Sequence, residues 1–476
     1  MIVGSNAPTE SVKKILPWLV AVAFFMESLD STILNTAVPM IASALKVQPL
    51  SMKAVLSSYT LSLAVFIPVS SWIADRFGTR RVFASAIGIF TLGSFFCGIS
   101  NNIHVLVACR VLQGCGGAMM VPVGRLTMVR TFAKSELVQA MSFVAIPALI
   151  GPMLGPLAGG IIVGLLHWRM IFFVNLPIGI VGLYLVYKHL PDYHQRTHAL
   201  DFVGLILFGS GIALLSYVLE VFGEHTLSGR EILSLLGIAV ALLFAYTFHS
   251  RTKFFPLLNL KLFRIRTLRV GVIGSFITRI GAGGMPFLLP LLYQIGLGYT
   301  PVQSGLLIMP QSIAAIGLKM TVPKILDWLG YRRVLLVNTI LVGLSIVFFS
   351  SIGISTPSWV IVLQACCFGF FSSLQYTSMN TLVYADINNA QTSMASNIVS
   401  TAQQMSMSFG VATASLVTAL FIPDRFHSTT GQMLQGLNKA FICLGALTVF
   451  SAFVFAELKK SDGDDLTQHR QNHTQP

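Results

Sequence analysis

Charge is what this sequence has least of. Of its 476 residues only 10% are Asp, Glu, Lys or Arg, against roughly 25% in an ordinary soluble domain. Such scarcity excludes a water-soluble globular protein. Acid is scarcer than base, 17 residues against 31, for a formal net charge of +14. Cysteine is also sparse: Cys97, Cys109, Cys115, Cys366, Cys367 and Cys443 all fall in apolar stretches without metal-ligand spacing. Neither a disulfide framework nor a metal site is expected of them. The chain has no nucleophile elbow, Walker loop, HExxH or CxxC pair, so no catalytic constellation, cofactor or nucleotide site is expected. The glycine-rich QGCGGA and GAGG lie inside apolar runs, where helix packing accounts for them.

What the sequence has in abundance is long hydrophobic runs. Hydrophobic residues make up 54% of the chain, and the mean hydropathy is +0.76. A helix rising about 1.5 Å per residue needs roughly 20 apolar residues to cross a hydrocarbon core. Such stretches recur at 15–38, 54–74, 82–100, 103–124, 139–163, 168–188, 201–222, 231–249, 270–296, 303–322, 333–353, 358–382, 395–421 and 438–456. About fourteen spans predict an all-α polytopic membrane protein with both termini on one side. The first run follows Lys13 and Lys14 as a signal peptide would, but it is long, contains two acids and lacks a cleavage site, so it reads as a retained span.

Sidedness follows from the basic residues. With the N-terminus inside, inner loops collect roughly 21 of the 31 Lys and Arg and outer loops about 6. Both termini are therefore expected in the cytoplasm. The partner of the basic loops is the anionic face of the lipid bilayer, not nucleic acid.

An internal repeat divides the chain. DRFGTRRV (75–82) and DWLGYRRV (327–334) share Asp, Gly, two Arg and Val at one spacing, offset by 327 − 75 = 252 residues. Both lie on the inner side, so an even number of spans separates them. Eight spans at 252/8 = 31.5 residues come closer to the chain average of 476/14 = 34 than six at 252/6 = 42. The expected organisation is a six-helix unit at 1–190, two extra helices with linkers at 191–269, a second six-helix unit at 270–457, and a disordered tail at 458–476. Three linker histidines, His189, His194 and His198, read as loop polarity.

The few charges inside the spans are the candidates for function. Glu27 and Asp30 are three residues apart and so share a helix face. A carboxylate at bilayer depth costs about 2.5–3.5 kcal/mol, so it normally faces a bundle interior or a water-filled cavity and marks an ion pathway. Arg110 lies midway along the fourth span, where a guanidinium that never deprotonates can tune a nearby carboxyl. Arg279 in the ninth span is a candidate of the same kind, whereas Arg125 and Lys319 lie near inner helix ends and are expected to snorkel. In GPMLGPLAGG (151–160), Gly151, Gly155 and Gly159 bare one helix face, followed by Gly160, while Pro152 and Pro156 remove amide donors. In the repeated loops, Asp75, Arg76, Gly78, Arg80 and Arg81, matched by Asp327, Gly330, Arg332 and Arg333, read as a paired gate. Asp75 either docks at a helix N-terminus or pairs with an arginine.

These segments together resemble the major facilitator superfamily, and within it the fourteen-span drug:proton antiporters. LDSTILNTAVP (29–39), with Asp30, Thr32, Asn35, Ala37 and Pro39, resembles the first-helix motif. SWIADRFGTRRVF (71–83) resembles the loop motif, with Ser71 where glycine is usual. LVACRVLQGCGGA (106–118) resembles the fourth-helix motif, and GPMLGPLAGG the fifth-helix antiporter motif. The resemblance implies a major facilitator fold, with two pseudo-symmetric six-helix bundles rocking about a central cavity and two additional transmembrane helices. It implies that Asp30 carries a proton or meets cargo, with Arg110 modulating it and the loop motif governing an inner gate; Glu27 is not a motif residue. The expected function is proton-coupled export of amphiphilic small molecules, cations included, across a bacterial cytoplasmic (inner) membrane. It leaves room for an accessory protein at a second membrane. The alternatives are an exporter of a specific metabolite, or a symporter, on the same scaffold. A membrane-embedded enzyme or sensor would need a catalytic cluster or sizeable soluble domain, which the sequence does not offer.

Overall fold

A computed structural model describes residues 10–132, 134–195, 197–221, 228–319, 321–388, 391–422, 430–463 and 466. In hydrocarbon every backbone amide and carbonyl must be satisfied within the segment, so the apolar runs become helices. The rods in chain order are α1 (Glu10–Ala44), α2 (Pro49–Phe77), α3 (Thr79–Ile99), α4 (Ile103–Thr131), α5 (Lys134–Leu165), α6 (Met170–His189), α7 (Phe202–Leu219) and α8 (Gly229–Thr252). They continue as α9 (Arg266–Gly296), α10 (Pro301–Leu318), α11 (Tyr331–Ser351), α12 (Ser358–Leu382), α13 (Thr392–Leu420) and α14 (Gly431–Phe455). Eleven are long and apolar enough to cross a membrane. The other three, α1, α5 and α13, have 35, 32 and 29 residues, ample length at about 1.5 Å per residue. The rods among the described residues thus match the expected fourteen.

The packing repeats with an offset of eight rods. α1 lies along α5, α2 along α4, and α3 along α4 and α6; correspondingly α9 lies along α13, α10 along α12, and α11 along α12 and α14. The two groups meet through α2 with α13 and α5 with α10, which the same offset interchanges. The α7–α8 hairpin packs against α2 and α13. Asp201, just before α7, anchors it by accepting from Gly204 N (2.9 Å) and Leu257 N (3.2 Å) and pairing with His249 Nε2 (2.6 Å). Burial pushes the Asp201 carboxyl up, but His249 and the two amides outweigh it and hold the group below its usual range.

The bare face of α5 explains its contact with α1. A methyl on Gly159 would stand 2.3 Å from the Ile33 carbonyl oxygen, so only glycine permits this approach. Pro156 supplies no amide to the Pro152 carbonyl one turn back, and that oxygen instead accepts from Ser312 Oγ of α10 (3.2 Å). One proline thus creates a hydrogen bond between the two groups of helices.

The two ends of the molecule are packed differently. At one end a single apolar core takes residues from both groups, among them Ile33, Ile41, Leu50, Trp168 and Phe172 with Phe287, Tyr293, Phe349, Ile422 and Phe441. At the other end, which carries the repeated loops, the cores are separate. One holds Leu16, Val20, Phe83, Phe90 and Met128; another holds Val270, Leu326, Tyr331, Leu335 and Leu382. Of the stretch expected as a tail, 458–463 and 466 are described, and they are not loose: Leu458 is buried and Arg266 of α9 binds Asp462. The remaining tail residues lie outside the described residues.

The glycine contacts make a prediction. Gly159→Ala is expected to destabilise the protein by about 1–3 kcal/mol, the usual cost of overpacking. Gly237→Ala, with nothing within 4 Å of the added methyl, should be neutral or stabilising by about 0.5–1 kcal/mol. Thermal unfolding of the purified variants in one detergent checks both, and equal midpoints would contradict the packing argument.

Candidate functional site

Asp30 and Arg110 meet inside the first helix group. Arg110 Nη1 donates to Asp30 Oδ2 at 2.6 Å, and each residue is 1% exposed. Asp30 Oδ1 accepts from Gln113 Nε2 and Asn175 Nδ2, both at 2.9 Å. Arg110 also donates to Gln113 Oε1 (2.8 Å) and the Val55 carbonyl (3.4 Å), and its guanidinium lies 4.2 Å from the centre of the Tyr59 ring. Asn175 passes the network on to Ser94 Oγ at 3.1 Å. Thus α1, α2, α3, α4 and α6 close around one ion pair, the geometry that lets opposite charges persist out of water. Asp30 and Arg110 were legible in the sequence, but Gln113, Asn175 and Tyr59 were not singled out. Gln113 follows Arg110 by three residues on one helix face, and Asn175 is an amide in an apolar run; both signals were present. Asn35 is buried but takes no part in the described hydrogen bonds of this cluster.

Glu27 keeps the face expected of it: it lies within electrostatic reach of Asp30 and beside Tyr59, whose ring packs on Arg110, and it also opens onto a cavity that Asp30 does not line. Glu27 is half-buried and lines a cavity of about 710 Å³ between the helix groups, at the end carrying the repeated loops. Opposite wall segments come from α2 and α4, including Ser71, Gly117 and Arg125, and from α13, with Ser396, Asn397, Ser400, Gln403 and Gln404. Arg125, expected to snorkel, is a cavity residue. The amide and hydroxyl row on α13 was not foreseen; it reads as ordinary polar residues in an amphipathic helix until the fold turns it inward.

Arg279 sits in the second helix group, 8% exposed. Counting from Arg266, it lies about 20 Å along α9, just before the break at Gly283 and Gly284 where the helix is interrupted. Its Nε donates to Ser275 Oγ (3.0 Å), its Nη2 reaches Asn380 Oδ1 (3.5 Å), and its guanidinium is 4.1 Å from the Tyr376 ring centre. Gln403 Nε2 donates to the same Asn380 oxygen at 2.7 Å. No carboxylate pairs with Arg279 among the described residues. It resembles Arg110 in burial but not in partnership.

The repeated loops turn alike, through Gly78 at φ 97° and Gly330 at φ 75°. Asp75 takes the second of its two expected roles, pairing with Arg130 Nη2 at the end of α4 (2.5 Å). Arg76 and Arg81 are exposed. The linker expected only to be polar in fact straps this loop: Thr79 N donates to the Tyr193 carbonyl (3.1 Å) and Gln195 N to the Asp75 carbonyl (3.0 Å). Asp192 accepts from Arg80 N (3.1 Å) and lies 3.9 and 4.0 Å from the Arg80 and Arg81 guanidinium groups. A methyl on Gly78 would collide with Asp192. In the second loop, Arg332 is half-buried and Arg333 exposed, with Asp327 and Gly330 ahead of them.

Comparison with known proteins agrees with this architecture. The sequence profile of the Major Facilitator Superfamily matches residues 20–411. A protein of Cronobacter sakazakii, provisionally named multidrug resistance protein MdtD, is 37% identical over 452 residues, covering 95% of each chain. The protein of that name from Escherichia coli O139:H28 is 39% identical over 443 residues, covering 93% of this chain and 94% of its own. Among solved structures, the POT family transporter PepTSo superposes with a TM-score of 0.69 at 15% identity, covering 93% of this chain and 97% of its own. The inward-open xylose transporter XylE of E. coli gives 0.63 at 12%, covering 97% and 99%. At such identities the structures speak for the fold, and the profile and relatives for descent: this chain, an all-α polytopic membrane protein, belongs to the Major Facilitator Superfamily.

Proposed function

We propose that the protein is a proton-coupled exporter of amphiphilic compounds, cations included, working by alternating access in a bacterial inner membrane. The observation that carries this reading is the Asp30–Arg110 pair, sealed at 1% exposure within a helix group whose cavity wall holds Glu27. The relatives' name, multidrug resistance protein, supports the export of toxic compounds. In this reading both termini and the cavity end of the molecule face the cytoplasm, the fused apolar core closes the outer end, and the units 1–190 and 270–457 rock against each other beside the two extra helices.

The chemistry follows from charge. With Asp30 ionised, Arg110 draws α4 onto α1, and the two amides hold the second carboxylate oxygen. A proton on Asp30 removes the charge that the guanidinium binds, leaving Arg110 with Val55 O, Gln113 and the Tyr59 ring. Helices held by that ion pair are then free to repack, which links proton occupancy to the shape of the cavity. Glu27 meets cargo in the cavity and favours positive charge. The Asp75–Arg130 pair and the 191–195 strap hold the inner gate, and Gly151, Gly155, Gly159 and Gly160 with Pro152 and Pro156 keep α5 close to α1 and α10. A second reading, export of one specific metabolite, draws on the six polar side chains of α13 that line the cavity. A transport screen over chemically diverse compounds, with and without an imposed proton gradient, separates breadth from specificity.

Two substitutions test the roles. Asp30→Asn should abolish uphill transport driven by a pH gradient in vesicles of purified protein, while cargo exchange at equal concentration on both sides continues, because exchange needs no proton step. Undiminished uphill transport would sink the role given to Asp30. Glu27→Gln should weaken binding of a monovalent cationic cargo roughly 10-fold, the scale of one charge-assisted contact, and leave a neutral analogue unchanged. An altered proton dependence with cation binding intact would make Glu27 a second proton site instead.

A further inference from the structure

Arg279 is an intramembrane charge that the mechanism proposed for Asp30 does not use. Arg279 has five N–H donors, of which Nε meets Ser275 and one on Nη2 meets Asn380 at 3.5 Å, the outer limit of a hydrogen bond. The other three have no acceptor among the described residues. The residue is more than nine-tenths buried, at the broken point of α9, and interrupted helices at mid-membrane are where transporters of this build hold cargo. Ser275, Asn380 and Gln403 line a narrow recess there, and Gln403 also lines the central cavity. Gln403, tied to Asn380, is thus shared between the cavity and a recess of about 10 Å³ beside Arg279, whose hydrogen-bonding partners Ser275 and Asn380 line it.

We infer that Arg279, with Asn380 and Gln403, forms an anion-binding subsite in the cavity wall that receives a carboxylate-class group of the transported compound. Cargo enters the cavity, its anionic group replaces the Gln403 amide on the Asn380 side of the recess, and the free Arg279 donors close on it. Asn380, whose oxygen now accepts from both Arg279 and Gln403, would turn its amide donor toward the anion. Glu27 on the facing group favours positive charge, so the Glu27 and Arg279 sites take opposite ends of a dipolar molecule, with Arg125 on α4 drawing anions into the same cavity. The inference rests on the transport reading only in treating the cavity as the cargo site.

Equilibrium binding to the purified full-length protein, without any proton gradient, tests it. The probes are trans-cinnamate, its neutral amide cinnamamide, and the cation phenylpropyltrimethylammonium, titrated by thermal shift. Cinnamate should bind the unaltered protein at least roughly 10-fold more tightly than the amide, the scale of a charge-assisted hydrogen bond. Arg279→Gln should erase that preference and leave cation binding unchanged. Gln403→Glu keeps the arginine and supplies its own carboxylate, so it should also abolish cinnamate binding while raising the unfolding midpoint; it decides the matter if Arg279→Gln does not fold. Equal binding of anion and amide, no cinnamate binding at millimolar concentration, or undiminished cinnamate binding in Gln403→Glu would each overturn the subsite. Because no gradient is applied, these outcomes are independent of Asp30: a bound anion that is never exported would leave the subsite standing and count against the coupling.

Discussion

One buried ion pair governs how the first helix group is assembled. Asp30 and Arg110, 2.6 Å apart and sealed from water, belong to different helices, and neither charge is tolerable there without the other. Desolvating each costs several kcal/mol, and their attraction repays it only when the remaining lone pairs and protons are also satisfied. Gln113, Asn175 and Val55 O complete that satisfaction, which is why α2, α4 and α6 converge on one point of α1. The pair is a poor source of stability and a strong source of specificity, since a shift of one helix turn would strand both charges.

The contrast between the two buried arginines organises the rest. Arg110 is matched within its own helix group; Arg279 is surrounded by neutral donors, acceptors and an aromatic face. Two related helix bundles have therefore diverged in electrostatics while keeping a common packing plan. The cavity lies between them at the end where their apolar cores are separate, and the fused core closes the other end.

Much of this was legible from residue order. Apolar run length revealed the rods, and the 252-residue offset between DRFGTRRV and DWLGYRRV revealed the eight-rod repeat in the packing. Asp30, Arg110 and Arg279 stood out because charge in an apolar run is costly. What was not legible is which of two acids on one helix face would be sealed and which would open onto a cavity, and this distinguishes Asp30 from Glu27. Partners contributed by distant helices, such as Asn175 for Asp30 or Ser312 for Pro152, depend on tertiary contacts with no local pattern. The linker at 191–195 was polar by composition, yet its backbone hydrogen bonds to Thr79 and Asp75 carry its structural meaning, and composition does not report backbone pairing.

The contact between α5 and α10 has a mechanical consequence. A methyl on Gly160 would stand 2.4 Å from the Pro301 oxygen, and one on Gly305 would stand 2.4 Å from the Pro156 oxygen, so here the two main chains touch with no side chains between them. Interlocked side chains must disengage before helices can turn on one another; bare backbone against bare backbone has nothing to disengage. In the transport cycle proposed above the crossing would serve as a bearing: its points stay in touch while the far ends of the rods swing, converting tilt into opening at one end and closure at the other.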